Sequence, residues 1–96
     1  MKISWMREAT ANIVAACEFI YEANPSAADR QRALILGGIN RLADLPEMGR
    51  AGRIAHTREL AVAGTSYVVV YRIRRRSICI LSVLHKARRW PRSFKH

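Results

Sequence analysis

Ten consecutive residues, Ser-Val-Leu-His-Lys-Ala-Arg-Arg-Trp-Pro at 82–91, hold much of the chain's chemical capacity. An apolar run over 80–84 stops at His85, and Lys86, Arg88, Arg89, Trp90 and Pro91 follow at once. An imidazole beside several cations has two readings. In the first, His85 moves a proton while arginines hold a phosphate. Cleaving RNA needs a base for the 2′-hydroxyl, an acid for the leaving oxygen and cations on the phosphate, with no metal or cofactor. Arg58, Tyr67, Tyr71 and His56 are further groups of suitable type. In the second, His85 is a strand-end histidine bonded to a neighbour, and Arg72, Lys86, Arg88, Arg89 and Arg92 clamp an anionic partner.

Other constellations are thinner. The three histidines, His56, His85 and His96, lack the carboxylate or cysteine spacing of a metal site, so no metal is expected. Cys17 and Cys79 form no CxxC pair and read as two reduced, half-buried thiols. Gly49-Arg50-Ala51-Gly52-Arg53 has the glycines and cations of a phosphate cradle. It lacks the Lys-Ser/Thr and the strand-to-helix setting of a P-loop, and reads as a turn whose glycines supply unusual dihedrals. Trp90 is a stacking platform or, the favoured reading, an apolar plug that pins the tail.

Charge is sharply divided. The chain carries 17 Lys/Arg against 7 Asp/Glu, a net +10. Residues 1–49 balance at −1, whereas residues 50–96 balance at +11 with Glu59 the single acid. That asymmetry calls for an anionic partner, either nucleic acid or an acidic protein. No apolar run nears the roughly 20 residues needed to span a bilayer. The N-terminal Met-Lys-Ile-Ser-Trp leads into a mixed stretch with Arg7 and Glu8 and lacks the apolar core of a secretory signal. A cytoplasmic protein without a membrane role is expected.

These groups must be positioned by one small domain spanning 1–96. A short strand is expected over 2–5. Met6, Ala9, Ile13, Ala16, Cys17 and Ile20 then step by three and four, which predicts a helix over 6–23. Asn24-Pro25 breaks the chain and restarts it, since Asn caps helices and Pro suits the first helical position. The second helix should reach about Asp44 with Ala28, Ile35, Ile39 and Leu42 inward. Gly37-Gly38 in its middle costs about 1 kcal/mol per glycine, which a close crossing of the first helix, or a kink, would explain. Three Val-, Ile- and Tyr-rich strands follow over 57–63, 67–73 and 77–84, forming an antiparallel meander. The fold class is α+β: an N-terminal strand and an α-helical hairpin packed on an antiparallel β-sheet, in the order β-α-α-β-β-β. The second sheet face and the tail are left for function, and Arg72, sharing a face with Val68 and Val70, implies that this face is partly open.

Four stretches, "FIYEANPSAADR" (19–30), "RLADLPEMGRAGR" (41–53), "TRELAVAGTSYVVVYRI" (57–73) and "ICILSVLHKARRWP" (78–91), together resemble the RelE/ParE superfamily of bacterial type II toxin–antitoxin toxins. The resemblance covers nearly the whole chain and implies the same β-α-α-β-β-β fold. It also implies a growth-inhibiting toxin neutralised by a cognate acidic antitoxin, which suits the basic half. RelE-like members cleave mRNA on the ribosome and set an arginine after the residue matching Tyr67, where this chain has Val68. On the preceding strand Glu59 and Ala61 stand where lysines are expected. "SYVVVYR" instead resembles ParE-like members, which poison DNA gyrase without a hydrolytic site. Gyrase is therefore the first expected target, reached through Arg72, Lys86, Arg88, Arg89 and Arg92. The alternative is ribosome-bound mRNA cleaved by His85, Arg58 and Tyr71. A basic nucleic-acid-binding module is the third reading.

Overall fold

The computed structural model describes residues 1–94; His96 lies outside the described residues. The elements run β1 (Lys2–Trp5), α1 (Arg7–Ala23), α2 (Pro25–Arg41), β2 (Arg50–Ala51), β3 (Arg58–Ala61), β4 (Tyr67–Arg74) and β5 (Ser77–His85). Asn24 both ends α1 and begins α2. Its N–H donates to the Ile20 carbonyl at 2.8 Å, and its Oδ1 accepts from the Ala27 N–H at 3.2 Å, with Pro25 opening the new helix. At its far end α2 stops at Arg41, short of the expected Asp44. There the chain tightens into i→i+3 bonds, Leu42 to Ile39, Ala43 to Asn40 and Asp44 to Arg41.

The sheet has five strands in the order β1-β5-β4-β3-β2. β4 pairs antiparallel with β3 and β5, as the meander requires, while β1 runs parallel to β5 with Lys2 opposite Ser77 and Trp5 opposite Ile80. The sheet is thus mixed. β2 is an added edge strand, Arg50 opposite Glu59, too short for its pattern to register in the sequence. Gly64, at φ 83°, makes the β3–β4 turn.

Both helices lie on one sheet face. Ala9, Ile13, Ala16, Ile35, Ile39 and Leu42 meet Val69, Tyr71, Ile78, Ile80 and Val83 in one core, with Cys17 and Ile20 packed at its margin. Both cysteines are free and half-buried. Gly38 does not serve a helix crossing: a Cβ there would meet Leu60 and Val62 of the sheet side at 3.5 and 3.7 Å, ordinary contacts, and one at Gly37 would meet nothing within 4 Å. The helix runs unbroken through both.

Two features of the sheet set up the functional end of the molecule. Between Val70 and Tyr71 the partner on β5 jumps from Ser82 to Ile80, so Leu81 is an extra residue, a β-bulge. Strand alternation would otherwise send Ile80 and Val83 to opposite faces, yet both lie in the core. The second feature is a covered outer face. Val68 and Val70 are 5% and 1% exposed, and Glu59, directly across from Val70, is 3% exposed. This face is more closed than the charge of Arg72 implied, and only toward Arg72 does it become half-exposed.

Candidate functional site

Because the bulge resets the alternation, His85 ends β5 on the helical side of the sheet. It pairs with Tyr67, and the two rings meet edge to face, centroids 5.4 Å apart at 84°. The backbone then turns back. Lys86 N–H donates to the Ser66 carbonyl at 2.9 Å, Arg88 N–H to the His85 carbonyl at 3.1 Å, and Ala87 N–H to His85 Nδ1 at 3.1 Å. The imidazole is thus held through Nδ1 by the turn that follows it.

Asn12, Phe19, Tyr67, His85, Arg88 and Arg89 border a small pocket of about 130 Å³. Its floor is fixed by Asn12 of α1, whose Oδ1 accepts from Val83 N–H at 3.0 Å and lies 2.6 Å from the Ser82 hydroxyl. The Arg88 guanidinium lies 5.4 Å from the centre of the Phe19 ring, itself 62% exposed. Two guanidinium groups, an imidazole and an apolar face together suit an anionic group carried on an apolar stem. Lys86, Arg88, Arg89 and Arg92 are exposed along the same tail, whereas Arg72 sits away from it, its Nε donating to the His56 carbonyl at 3.2 Å.

Arg58 and Tyr71 are brought together, but not to His85. They face each other across β3 and β4, four residues along β4 from Tyr67, or about 13 Å at strand rise. Tyr71 is fully buried; its hydroxyl donates to the Pro46 carbonyl at 2.7 Å and accepts from Gly49 N–H at 2.9 Å. Burial pushes the phenol above its ordinary value of 10.0, against the opposing pull of the Gly49 N–H and the Arg58 charge. Arg58 donates to the Gly49 carbonyl at 2.7 Å. Both side chains fasten the 46–50 loop to the sheet. Gly49 in this loop and Gly52 beyond it answer to space, since neither has positive φ. A Cβ at Gly49 would stand 2.6 Å from the Tyr71 hydroxyl, and one at Gly52 would collide with Thr57.

Sequence reasoning missed the centre on the outer face. Glu59 accepts from the Arg53 backbone N–H at 2.8 Å, from Arg53 Nε at 3.2 Å and from Arg50 at 3.3 Å. Burial raises a carboxyl, but these hydrogen bonds more than offset it, and Glu59 titrates below its ordinary value of 4.5. The Arg53 guanidinium also stacks on Trp90 at 3.5 Å, and Trp90 Nε1 donates to the His85 carbonyl at 3.2 Å. A lone acid amid twelve cations was the available signal, since a solitary carboxylate in such a field is the natural collecting point for arginines. Among the described residues no three His, Cys, Asp or Glu side chains form a metal-binding group, and no helix is long and apolar enough to cross a membrane.

Comparison with known proteins accords with this architecture. The family model described as "ParE toxin of type II toxin-antitoxin system, parDE" matches residues 3–90. A curated relative, "Putative toxin Y4kP" of Sinorhizobium fredii (strain NBRC 101917 / NGR234), is 38% identical over 90 residues, covering 94% of this chain and 93% of its own. Among solved structures, a chain of the "Chromosomal ParDE TA system from P. aeruginosa" superposes with a TM-score of 0.78 at 21% identity, over 86% of this chain and 92% of that one.

Proposed function

The chain belongs to the family of ParE toxins of type II toxin–antitoxin systems, and from that premise we propose that it arrests growth in the cytoplasm by binding and poisoning DNA gyrase through its basic C-terminal tail. A cognate acidic antitoxin neutralises it by covering that basic half. The observation that carries this reading is the state of His85. Its Nδ1 accepts from the Ala87 N–H, so the lone pair that a general base would use there is engaged by the turn that follows β5. Tyr71, the other proton-bearing group of an mRNA-cleaving site, has its hydroxyl doubly bonded and lies four residues along the sheet. Anion binding, not proton transfer, is what such groups supply. Lys86, Arg88, Arg89 and Arg92 are exposed and, among the described residues, have no acidic partner.

Purified protein added to a gyrase supercoiling reaction should inhibit supercoiling and accumulate cleaved DNA, while translated mRNA stays intact. His85→Ala should keep that activity, and Arg88→Glu with Arg89→Glu should lose it, as should raising the salt. Cleavage of ribosome-bound mRNA with gyrase unaffected, abolished by His85→Ala in a folded protein, would establish the endoribonuclease instead.

A further inference from the structure

We propose that the tip of the β4–β5 hairpin is a second anion site, one that holds the phosphate backbone of duplex DNA. Lys2, Arg74, Arg75, Arg76 and Ser77 surround an open concavity of about 780 Å³. Two separate parts of the chain build it. Parallel pairing sets Lys2 opposite Ser77, and the Lys2 N–H donates to the Arg76 carbonyl at 3.3 Å. The Ser77 hydroxyl closes the turn on the Arg74 carbonyl at 3.1 Å. Arg75 sits at φ 52°, in the left-handed region that favours glycine, yet carries a guanidinium.

Among the described residues none of these four cations has an ion-pair partner, so the fold gains nothing from gathering them. The occupant follows from what lines the concavity. Its lining residues are one lysine, three arginines and one serine; much of its surface is carbon of these residues, but no aromatic or aliphatic residue offers the anchor by which a protein partner is usually held. Three arginine forks match phosphate oxygens in pairs, and duplex DNA presents the densest array of them, one charge per about 1.7 Å of axis. The site is separate from the tail. β5 runs from Ser77 at the tip to His85, about 26 Å of strand. DNA contact here needs no gyrase, so the proposal stands or falls apart from the choice of target.

The test is fluorescence anisotropy of the purified full chain with a labelled random duplex of about 20 base pairs, over a salt series and without gyrase. The tip variant combines Arg74→Ala, Arg75→Gly and Arg76→Ala, with a circular-dichroism melt to confirm folding. Its affinity should fall at least about tenfold, and its log–log salt slope should lose about 2 to 3 units, near 0.9 per phosphate released. Arg88→Ala with Arg89→Ala should change the slope by less. Equal losses from tip and tail would mean a diffuse basic field and would overturn the proposal. So would tighter binding of polyglutamate, or of single-stranded RNA of the same length, than of the duplex. Should the tip variant fail to fold, Arg76→Ala alone carries the test, with a loss of about 1 unit of slope expected and an unchanged slope overturning the proposal.

Discussion

The guanidinium of Arg53 lies 3.5 Å from the centre of the Trp90 ring while its Nε holds the Glu59 carboxylate at 3.2 Å. One side chain therefore joins a buried acid on β3, the loop that follows β2 and the tail that follows β5. The only acid of the basic half thus fixes the path of the tail that carries Lys86, Arg88 and Arg89.

Trp90→Ala should free the tail. The stack and the buried part of the indole contribute about 1–2 kcal/mol, which a urea melt would register as a lower midpoint. Limited trypsin digestion should also cut sooner after Lys86 and Arg88. Trp90→Phe, which keeps a ring under Arg53 but loses the N–H to the His85 carbonyl, should fall between the two. Unchanged protection of the tail in Trp90→Ala would count against the latch.

Glu59 makes stability depend on acid. Its folded value lies below the ordinary 4.5, so its contribution is complete above that value and disappears as pH falls from there through the folded value. Urea melts from about pH 7 to about pH 3 should show this decline. Glu59→Gln should shallow it and, near neutrality, lower stability by about 1–2 kcal/mol, because Arg53 and Arg50 remain well exposed to water. An equally steep acid limb in the variant would assign the decline to other carboxyls.

Tyr71 and Gly49 should be coupled. Tyr71→Phe leaves the Gly49 N–H and Pro46 carbonyl without their shared partner, at a cost of about 1–3 kcal/mol. Gly49→Ala should cost about as much by driving a methyl into the Tyr71 hydroxyl and the Glu59 carbonyl. The double variant should lose less than the sum, since removing the hydroxyl relieves part of the clash. Strict additivity would contradict the contact.

Gly37→Ala should stabilise the protein by about 1 kcal/mol, because the position is helical, exposed and open to a Cβ. A melting temperature that fails to rise would mean that something other than the folded chain needs glycine there.

Helix faces and the Asn24-Pro25 break were legible because 3.6-residue spacing and capping are local properties of the chain. Ala9, Ile13, Ala16, Ile35, Ile39 and Leu42 are buried as their spacing requires. The bulge at Leu81 was not read, although "ICILSVLH" carries its trace. Apolar parity runs through Ile78 and Ile80, then resumes out of phase at Val83. That single residue decides which sheet face His85 meets, so the site's location was hidden where its residue types were plain. The Glu59 cluster was hidden for another reason: Arg50, Arg53 and Trp90 converge on it only through pairing of β2 and the return of the tail, which are long-range events without a local signature.

The pairing of β1 with β5 has a consequence in time. Residues 2–5 are made well before their strand partners, 77–80, so the sheet cannot close until β5 has been made. Until β5 is available, β1 has no strand to lie against, and the basic tail that β5 carries into place does not yet exist as a surface. The closed sheet and the surface that the tail presents therefore arise together, once β5 is in place.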